Sequence, residues 1–153
     1  MRDPAAALKF LYPTLGHLHD PFLLKGMTRA VDRLCRAIAN KERIMLYGDY
    51  DVDGTTSVVI LKKALELAGG ITEFHVPHRL KEGYGMRVEV IEQAAAERNV
   101  RVVVSVDTGI RAAEVARRAS EFGVDLIITD HHLPEEDIPA AMSVINPNQP
   151  GCE

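Results

Sequence analysis

Short apolar runs and amphipathic stretches alternate in a fixed order along most of the chain. The apolar runs are rich in Val, Ile and Leu, which is typical of strands buried on both faces of a parallel sheet. The stretches between them repeat apolar residues three and four positions apart, which predicts helices with one buried face. The predicted strands are 44–47, 72–77, 101–106 and 125–129, with a candidate fifth at 142–145. The predicted helices are about 26–40, 86–98 and 110–122, with another that ends near 68.

This order of strands and helices predicts an α/β fold. Short connections favour right-handed crossovers, which place four to five strands in one parallel sheet with helices on both faces. The chain has 153 residues and is 46% hydrophobic, which is enough for one domain with a substantial core. We therefore expect a single domain over residues 25–153.

The first part of the chain departs from this pattern and predicts an N-terminal arm. Prolines interrupt residues 1–24, so only short helical turns are expected there. Apolar side chains such as Phe10, Leu11 and Phe22 recur between the prolines, and we expect them to pack the arm against the domain. Another short helical turn is predicted at Pro134, after the fourth strand.

Charge and cysteine content narrow the class of protein. The net charge of -4 at pH 7 argues against a generally basic nucleic-acid surface, although it leaves room for a local basic patch. Cys35 and Cys152 lie in unlike contexts, so we expect no disulfide and a reducing compartment. Neither a signal peptide nor a membrane-spanning run stands out, which predicts a soluble, cytoplasmic protein without membrane contact.

Aspartates occupy alternating positions in the loop after the first predicted strand. Asp49, Asp51 and Asp53 lie between a strand and a helix, and such a loop falls at the carboxyl edge of a parallel sheet, where ligands bind. Carboxylates this close repel one another unless cations are present, so the loop indicates a metal site with hard oxygen ligands. The plainer interpretation is a solvated acidic turn in which an aspartate caps the helix.

Two further predicted strands end in residues that can bind metals. The third ends at Asp107 and the fourth at Asp130, His131 and His132, so a parallel sheet would bring them to the edge of the aspartate loop. Carboxylates mixed with imidazoles suit Mn²⁺, and less exclusively Mg²⁺, Fe²⁺ or Zn²⁺. Two such ions could stabilise the entering and leaving oxygens at a scissile phosphate. The plainer interpretation makes Asp107 and Asp130 helix or turn caps.

Side chains that could contact substrate lie beside these candidate ligands. The two histidines point differently because they are adjacent, so we expect one to be a ligand and the other to touch substrate. Arg79 and Lys81 follow the second predicted strand, in a loop where glycines flank Tyr84. They are either solvated charges or phosphate contacts.

Three stretches of the chain combine into one set of motifs. They are Tyr47-Gly48-Asp49-Tyr50-Asp51-Val52-Asp53-Gly54, Val106-Asp107-Thr108-Gly109-Ile110 and Asp130-His131-His132. This set resembles the first three motifs of the DHH phosphoesterases, and most closely those of the RecJ single-strand-specific exonucleases. The likeness extends over nearly the whole chain, including the loop His78-Arg79 to Glu82-Gly83-Tyr84-Gly85, the tail Asn146-Pro147-Asn148-Gln149-Pro150 and the arm.

The resemblance implies a two-metal nuclease that degrades single-stranded DNA from its 5′ end. It implies Mn²⁺ or Mg²⁺ as cofactors, a role in DNA repair and recombination, and repair or replication proteins as partners. Asp49 would be a ligand or an outer carboxylate. Asp130 would orient its neighbours, and His132 would contact the scissile phosphate. Arg79 and Tyr84 would bind substrate. The implied metal ligands are Asp51, Asp53, Asp107 and His131.

The chain departs from the family pattern at two places. The family has a further metal-binding aspartate and a second domain that helps to grip DNA, and this chain ends at Glu153, before both. We therefore expect a domain truncated before the fourth motif, as an N-terminal piece of a longer enzyme with little activity by itself. Arg87 also stands where a small polar residue is expected, which would alter the surface that binds the strand.

Three other functions compete with the nuclease interpretation. The nucleophile motif of haloacid-dehalogenase-like phosphatases is also matched, by Asp51-Val52-Asp53-Gly54-Thr55. In those phosphatases the nucleophile directly follows the strand, whereas here Gly48, Asp49 and Tyr50 lie between the strand and Asp51. A different DHH phosphoesterase would hydrolyse pyrophosphate, cyclic dinucleotides or short oligonucleotides. A non-catalytic DHH binding module would serve as a scaffold. The sequence leaves metal identity, strand polarity and oligomeric state open.

Overall fold

The computed structural model describes residues 3–152 and confirms the predicted α/β class. Met1 and Arg2, at the start of the predicted arm, and Glu153, at the end of the predicted domain, lie outside the described residues. Within the described chain, five strands form one parallel sheet in the order β2-β1-β3-β4-β5. They are β1 (Arg43–Gly48), β2 (Ile71–His75), β3 (Val100–Val106), β4 (Asp125–Thr129) and β5 (Ser143–Ile145).

The order of the strands creates an opening at one edge of the sheet. The chain runs outward from β1 to β2 and then crosses back to β3 on the other side of β1. The loops after β1 and β3 therefore leave the sheet in opposite directions, and a crevice forms between their carboxyl ends. This crevice is where the sequence predicts the metal site.

Helices cover both faces of the sheet. The strand β1 shows why, because Ile44 and Leu46 belong to one core cluster and Met45 and Tyr47 to the other, all of them buried. The cluster of Ile44 includes residues of the helices that span 27–39 and 52–67, and the cluster of Met45 includes residues of the helices that span 88–98 and 113–121. The helices are α1 (Pro4–Leu11), α2 (Met27–Ala39), α3 (Val52–Leu67), α4 (Val88–Arg98) and α5 (Ala113–Glu121).

Two predicted helical segments need correction. The helix predicted from residue 110 begins only at Ala113, because residues 109–112 form a separate turn and Ala112 has a non-helical backbone (φ -96°, ψ 48°). The turn is closed by the bond from the Ala112 N–H to the Gly109 carbonyl (2.9 Å). The helical turn predicted at Pro134 is absent from the described chain, where residues 134–142 run without helix or strand. Pro139 follows closely and disfavours helical backbone in the residue before it.

The arm forms the predicted helical turns, but its side chains do not pack as expected. Besides α1, it contains single 3₁₀ turns at Leu15–His17 and Pro21–Leu23. Phe10 is 73% exposed and Leu15 is 86% exposed, and none of the described residues in these turns is buried. The turns are stabilised locally, as where the Asp3 carboxylate accepts the Ala5 N–H. The prediction of a packed arm is therefore wrong for its apolar side chains.

A helix that spans a membrane must meet requirements of length and hydropathy. Among the helices within residues 3–152, none is both long enough and apolar enough to cross a bilayer.

Arg33 ties α2 to the amino ends of two strands, and its loss should destabilise the fold. The side chain is buried, and it donates from Nε to Asp125 Oδ2 (2.5 Å) and from Nη2 to Glu42 Oε2 (2.6 Å). Arg33→Met should lower the free energy of unfolding by about 2 kcal/mol. This loss is smaller than that expected for breaking a fully buried ion pair, because the Asp125 side chain is half exposed. Urea melts at pH 7 would measure this change.

The same variant should change how stability depends on pH. The hydrogen bond from Arg33 holds the pKa of Glu42 below its ordinary value. Glu42 therefore stabilises the fold above its unfolded pKa, and this contribution is lost as the pH falls through the lower folded pKa. Urea melts between pH 7 and pH 3 should show a smaller loss of stability in Arg33→Met than in the wild type. An equal loss would contradict the assignment.

Candidate metal centre

The aspartate loop is held tightly against the end of β1 by a glycine. Asp49 directly follows the strand and is buried, and Asp51 caps α3 by accepting the Gly54 N–H (2.9 Å). A Cβ on Gly54 would lie 2.5 Å from the Asp49 carbonyl oxygen and 2.6 Å from its nitrogen. Only glycine therefore allows the first turn of α3 to approach the strand this closely.

Asp107 adopts an unusual backbone conformation where β3 ends. Its φ is 61°, in the left-handed region that non-glycine residues seldom occupy, and its side chain is almost fully buried. The Asp107 N–H donates to the Thr129 carbonyl (3.0 Å), and its Oδ1 lies 3.0 Å from His131 Nε2. Strain of this kind persists where the surrounding structure fixes it, and it concentrates at functional sites.

Asp130 organises the loop after β4. Its Oδ2 accepts the Ile110 N–H (2.9 Å), and its Oδ1 accepts the N–H groups of His131 (2.7 Å) and His132 (3.1 Å). The same Oδ1 lies 2.7 Å from His132 Nδ1. Burial alone would raise the pKa of Asp130, but these hydrogen bonds outweigh it and lower that pKa. The bond to Asp130 in turn raises the pKa of His132.

The side chains predicted from three strand ends meet in two groups that share Asp107. Ligand atoms of Asp49, Asp51 and Asp107 lie within 4.8 Å of one another, and so do those of Asp107, His131 and His132. The first group contains only carboxylate oxygens, and the second adds imidazole nitrogens. This donor set fits a hard or borderline divalent cation such as Mn²⁺ or Mg²⁺.

The charges at this edge are unbalanced in a way that a cation would relieve. Burial and the neighbouring charge of Asp51 raise the pKa of Asp107, which disfavours its ionised form. The Gly54 N–H lowers the pKa of Asp51, so Asp51 keeps its negative charge beside Asp107. A divalent cation between the two carboxylates would offset both burial and repulsion.

Asp53 lies apart from both groups. It is exposed in the first turn of α3, and it lines a cavity of about 750 Å³ together with Thr56, Ser57, Asp107 and His131. The cavity runs from the candidate metal centre along the α2 and α3 face of the sheet, where apolar residues line it. Asp53 as a ligand stays a prediction.

An aromatic cluster links the loop after β2 to His132. The Arg79 guanidinium lies over the Tyr50 ring at 5.1 Å, and Tyr84 packs edge-on against both Tyr50 and His132 at centroid distances of 6.5 and 6.3 Å. Burial and the charges of nearby aspartates raise the pKa of Tyr84, so its hydroxyl keeps its proton. Sequence reasoning missed Tyr50 as a contact, although an aromatic ring between two aspartates was a usable signal.

These motifs and this fold belong to a known family of phosphoesterases. The model of the DHH family, N-terminal domain, matches residues 43–153, which is most of the chain. The chain is therefore a member of the DHH family, as the three motifs predict. This membership rules out the haloacid-dehalogenase-like alternative.

Within the family, the chain is similar to RecJ proteins. The single-stranded-DNA-specific exonuclease RecJ of Bacillus subtilis is 42% identical over 147 residues, which are 96% of this chain and 19% of that protein. A crystal structure of exonuclease RecJ bound to manganese has a TM-score of 0.79 at 34% identity, and covers 88% of this chain and 34% of its own. RecJ from Thermus thermophilus in complex with Mn²⁺ has a TM-score of 0.73 at 30% identity, with coverages of 92% and 19%. The likeness confirms the predicted fold and the resemblance to RecJ, and the chain spans a minor part of each longer protein.

Proposed function

We propose that this protein hydrolyses phosphodiester bonds of single-stranded DNA, starting at the 5′ end, with the help of divalent cations. One observation carries the proposal. Carboxylates and imidazoles from three strand ends form two groups of possible ligands around Asp107, and His132, a member of the second group, also touches an aromatic cluster. The names of the similar RecJ exonucleases support the substrate and the single-strand specificity.

Several residues would hold Mn²⁺ or Mg²⁺ in this function. When bound, such ions acidify water and neutralise charge on a phosphate. Asp107 would serve both positions, because it belongs to both ligand groups. Asp53, which is exposed in the first turn of α3 and lines the same cavity as Asp107, would be a further ligand. The remaining proposed ligands are Asp49, Asp51 and His131.

His132 would bind the scissile phosphate. Its Nδ1 is engaged by the Asp130 carboxylate, which raises the pKa of His132 and favours the imidazolium form. An imidazolium has a second N–H, at Nε2, that can donate to a phosphate oxygen. Asp130 acts through His132, because it also binds the Ile110 N–H and so fixes the ring relative to the loop after β3.

Arg79, Tyr50 and Tyr84 would receive the strand itself. Stacking of bases on aromatic rings tolerates every sequence, and an arginine beside the rings can bind a backbone phosphate. Bases in a duplex are already stacked and paired, so this surface favours single strands. The net charge of -4 means that binding would depend on this local cluster rather than on an overall basic surface.

The setting of this activity is part of the same proposal. Degradation of single strands serves DNA repair and recombination, with repair or replication proteins as partners. Such work would take place where the chromosome lies, which is the cytoplasm of a bacterial cell.

A single-turnover assay tests the proposed function. The protein, in excess, is incubated with Mn²⁺ and a 5′-phosphorylated oligonucleotide that carries a fluorescent label at its 3′ end. Because little activity is expected of this chain by itself, we expect slow release of mononucleotides, with a labelled strand that shortens from the 5′ end. We expect no degradation of the matching duplex and no products in EDTA. Early release of the label would overturn the 5′ polarity. Hydrolysis of pyrophosphate or a cyclic dinucleotide, but not of DNA, would favour another DHH phosphoesterase. Binding without any hydrolysis would favour a binding module.

A further inference from the structure

We propose that Asn146 and Asn148 are positioning residues that hold the two histidines of the candidate metal centre by their backbone carbonyls. The inference rests on the proposed function, since it concerns how that site is kept in shape. It gives a role to the tail that follows β5, to which neither the ligand groups nor the aromatic cluster assigns one.

The contacts of the two asparagines form a short chain of hydrogen bonds. Asn146 is fully buried, and its Nδ2 donates to the His132 carbonyl (2.9 Å). Its Oδ1 accepts the Asn148 N–H (2.7 Å), and Asn148 Nδ2 donates to the His131 carbonyl (2.6 Å). Both histidine carbonyls are therefore bound by one turn of the tail.

The opposite side of the histidine backbone is bound as well. Asp130 Oδ1 accepts the N–H groups of His131 and His132, at 2.7 and 3.1 Å. Each histidine is thus held at its N–H by Asp130 and at its C=O by an asparagine. Rotation of the backbone around either histidine would break a hydrogen bond on at least one side, so the direction in which each ring leaves the chain is fixed.

The tail is rigid enough to act as a support because it is itself anchored. Gln149 is buried, and its Nε2 donates to the carbonyls of Val144 (2.9 Å) and Lys25 (3.3 Å). Lys25 Nζ donates back to the Pro150 carbonyl (2.6 Å), and Ser143 Oγ donates to the Gly26 carbonyl (2.7 Å). The histidine loop is therefore connected through the tail to the start of α2.

A purely local role for the asparagines does not account for these contacts. An Asn-Pro-Asn turn is already closed by the bond from the Asn148 N–H to Asn146 Oδ1, which satisfies the turn by itself. The two amide donors reach instead to residues 14 and 17 positions away in sequence, and these are the adjacent histidines. Outer groups that fix the orientation of metal ligands typically change metal affinity by about 10- to 100-fold when they are removed.

Asn148→Ala is the variant that tests the inference, because Asn148 is exposed and its loss should leave the fold intact. Asn40→Ala is the matched control, since Asn40 is also exposed and donates one side-chain hydrogen bond, to Glu42 Oε1, beside the amino end of β1. Asn148→Gln keeps the amide donor and should restore part of the wild-type behaviour.

Two measurements separate positioning from a general loss of stability. In EDTA, hydrogen exchange of the His131 and His132 amides should be faster in Asn148→Ala than in the wild type or Asn40→Ala. In calorimetric titrations, Mn²⁺ should bind Asn148→Ala about tenfold more weakly, with the unfolding midpoint in EDTA almost unchanged.

The outcomes distinguish this inference from the function on which it rests. Wild-type exchange rates and Mn²⁺ affinity in Asn148→Ala would overturn the inference. A lower unfolding midpoint without either change would also overturn it, since the role would then be structural alone. If the wild type binds no Mn²⁺, the proposed metal site fails, whereas faster exchange at the two histidines would still support the asparagine contacts.

Discussion

Asp107→Asn is expected to abolish the stabilisation of this protein by Mn²⁺. A ligand that binds only the folded state adds about 2.7 kcal/mol when its concentration is 100 times its Kd. For a domain of this size, that stabilisation raises the melting temperature by about 8 °C. Asp107 belongs to both ligand groups, so neutralising it weakens both positions and the shift should vanish. Thermal melts with and without Mn²⁺ would measure the change.

Asparagine is the appropriate substitute because it isolates the charge. Asn tolerates the left-handed backbone that Asp107 adopts, with φ of 61°, whereas a β-branched residue would not. In EDTA the variant should be at least as stable as the wild type, because a buried carboxylate beside Asp51 is lost. Relative to the wild type, Asp107→Asn should therefore melt at a lower temperature with Mn²⁺ and at an equal or higher temperature in EDTA. A general unfolding defect would lower the melting temperature in both conditions.

Asp32→Asn provides the control for this experiment. Asp32 is exposed on α2, and the same chemical change there should leave the full response to Mn²⁺. If Asp107→Asn and the wild type respond equally, Asp107 is not a ligand. The argument from converging strand ends would then fail.

Gly54→Ala is expected to cause the largest loss of stability among single-methyl additions in the aspartate loop. The new Cβ would lie 2.5 to 2.7 Å from backbone atoms of Asp49, which cannot rotate away as a side chain could. The start of α3 must shift, and we expect a loss of about 3 kcal/mol. Asp51 and Asp53 would move with the helix, so the affinity for Mn²⁺ should fall as well.

The sign of this effect makes the test informative. Gly54 lies inside α3, where alanine is intrinsically better than glycine by about 1 kcal/mol, so propensity alone predicts stabilisation. Gly16→Ala is the control, because its Cβ would meet only the Thr14 hydroxyl, at 3.7 Å. Urea melts in EDTA would compare the two variants. A neutral or stabilising Gly54→Ala would mean that the loop relaxes freely, contrary to the close packing described.

The sheet was predictable because its strands are buried on both faces. Such strands must be apolar at consecutive positions, so runs such as 101–106 stand out from the amphipathic helices around them. The meeting of Asp49 and His131 with Asp107 followed from topology alone, because parallel strands end at one edge. Neither inference needed any knowledge of how individual side chains pack.

Features that depend on contacts between distant loops were not predictable. The turn that precedes α5 is held by a bond from the Ile110 N–H to Asp130, which joins two loops 20 positions apart in sequence. The separate position of Asp53 has a helical cause. Asp51 is the cap and Asp53 lies within α3, where a step of two residues turns by about 200°. Residues two positions apart point to the same side in an extended chain, but not in a helix, so Asp53 points away from Asp51.

The sharing of Asp107 between two ligand groups has a consequence for cation binding. In the proposed function, a cation in either position would draw on the same carboxylate, so neither position would fill independently of the other. By linkage, the free energy that couples the two binding events is the same whichever is filled first. A first cation would either fix the Asp107 carboxylate in a position that favours a second cation, or neutralise the carboxylate charge and so weaken the binding of the second. A Mn²⁺ titration should therefore depart from a simple hyperbola, and its Hill coefficient would show whether organisation or competition prevails.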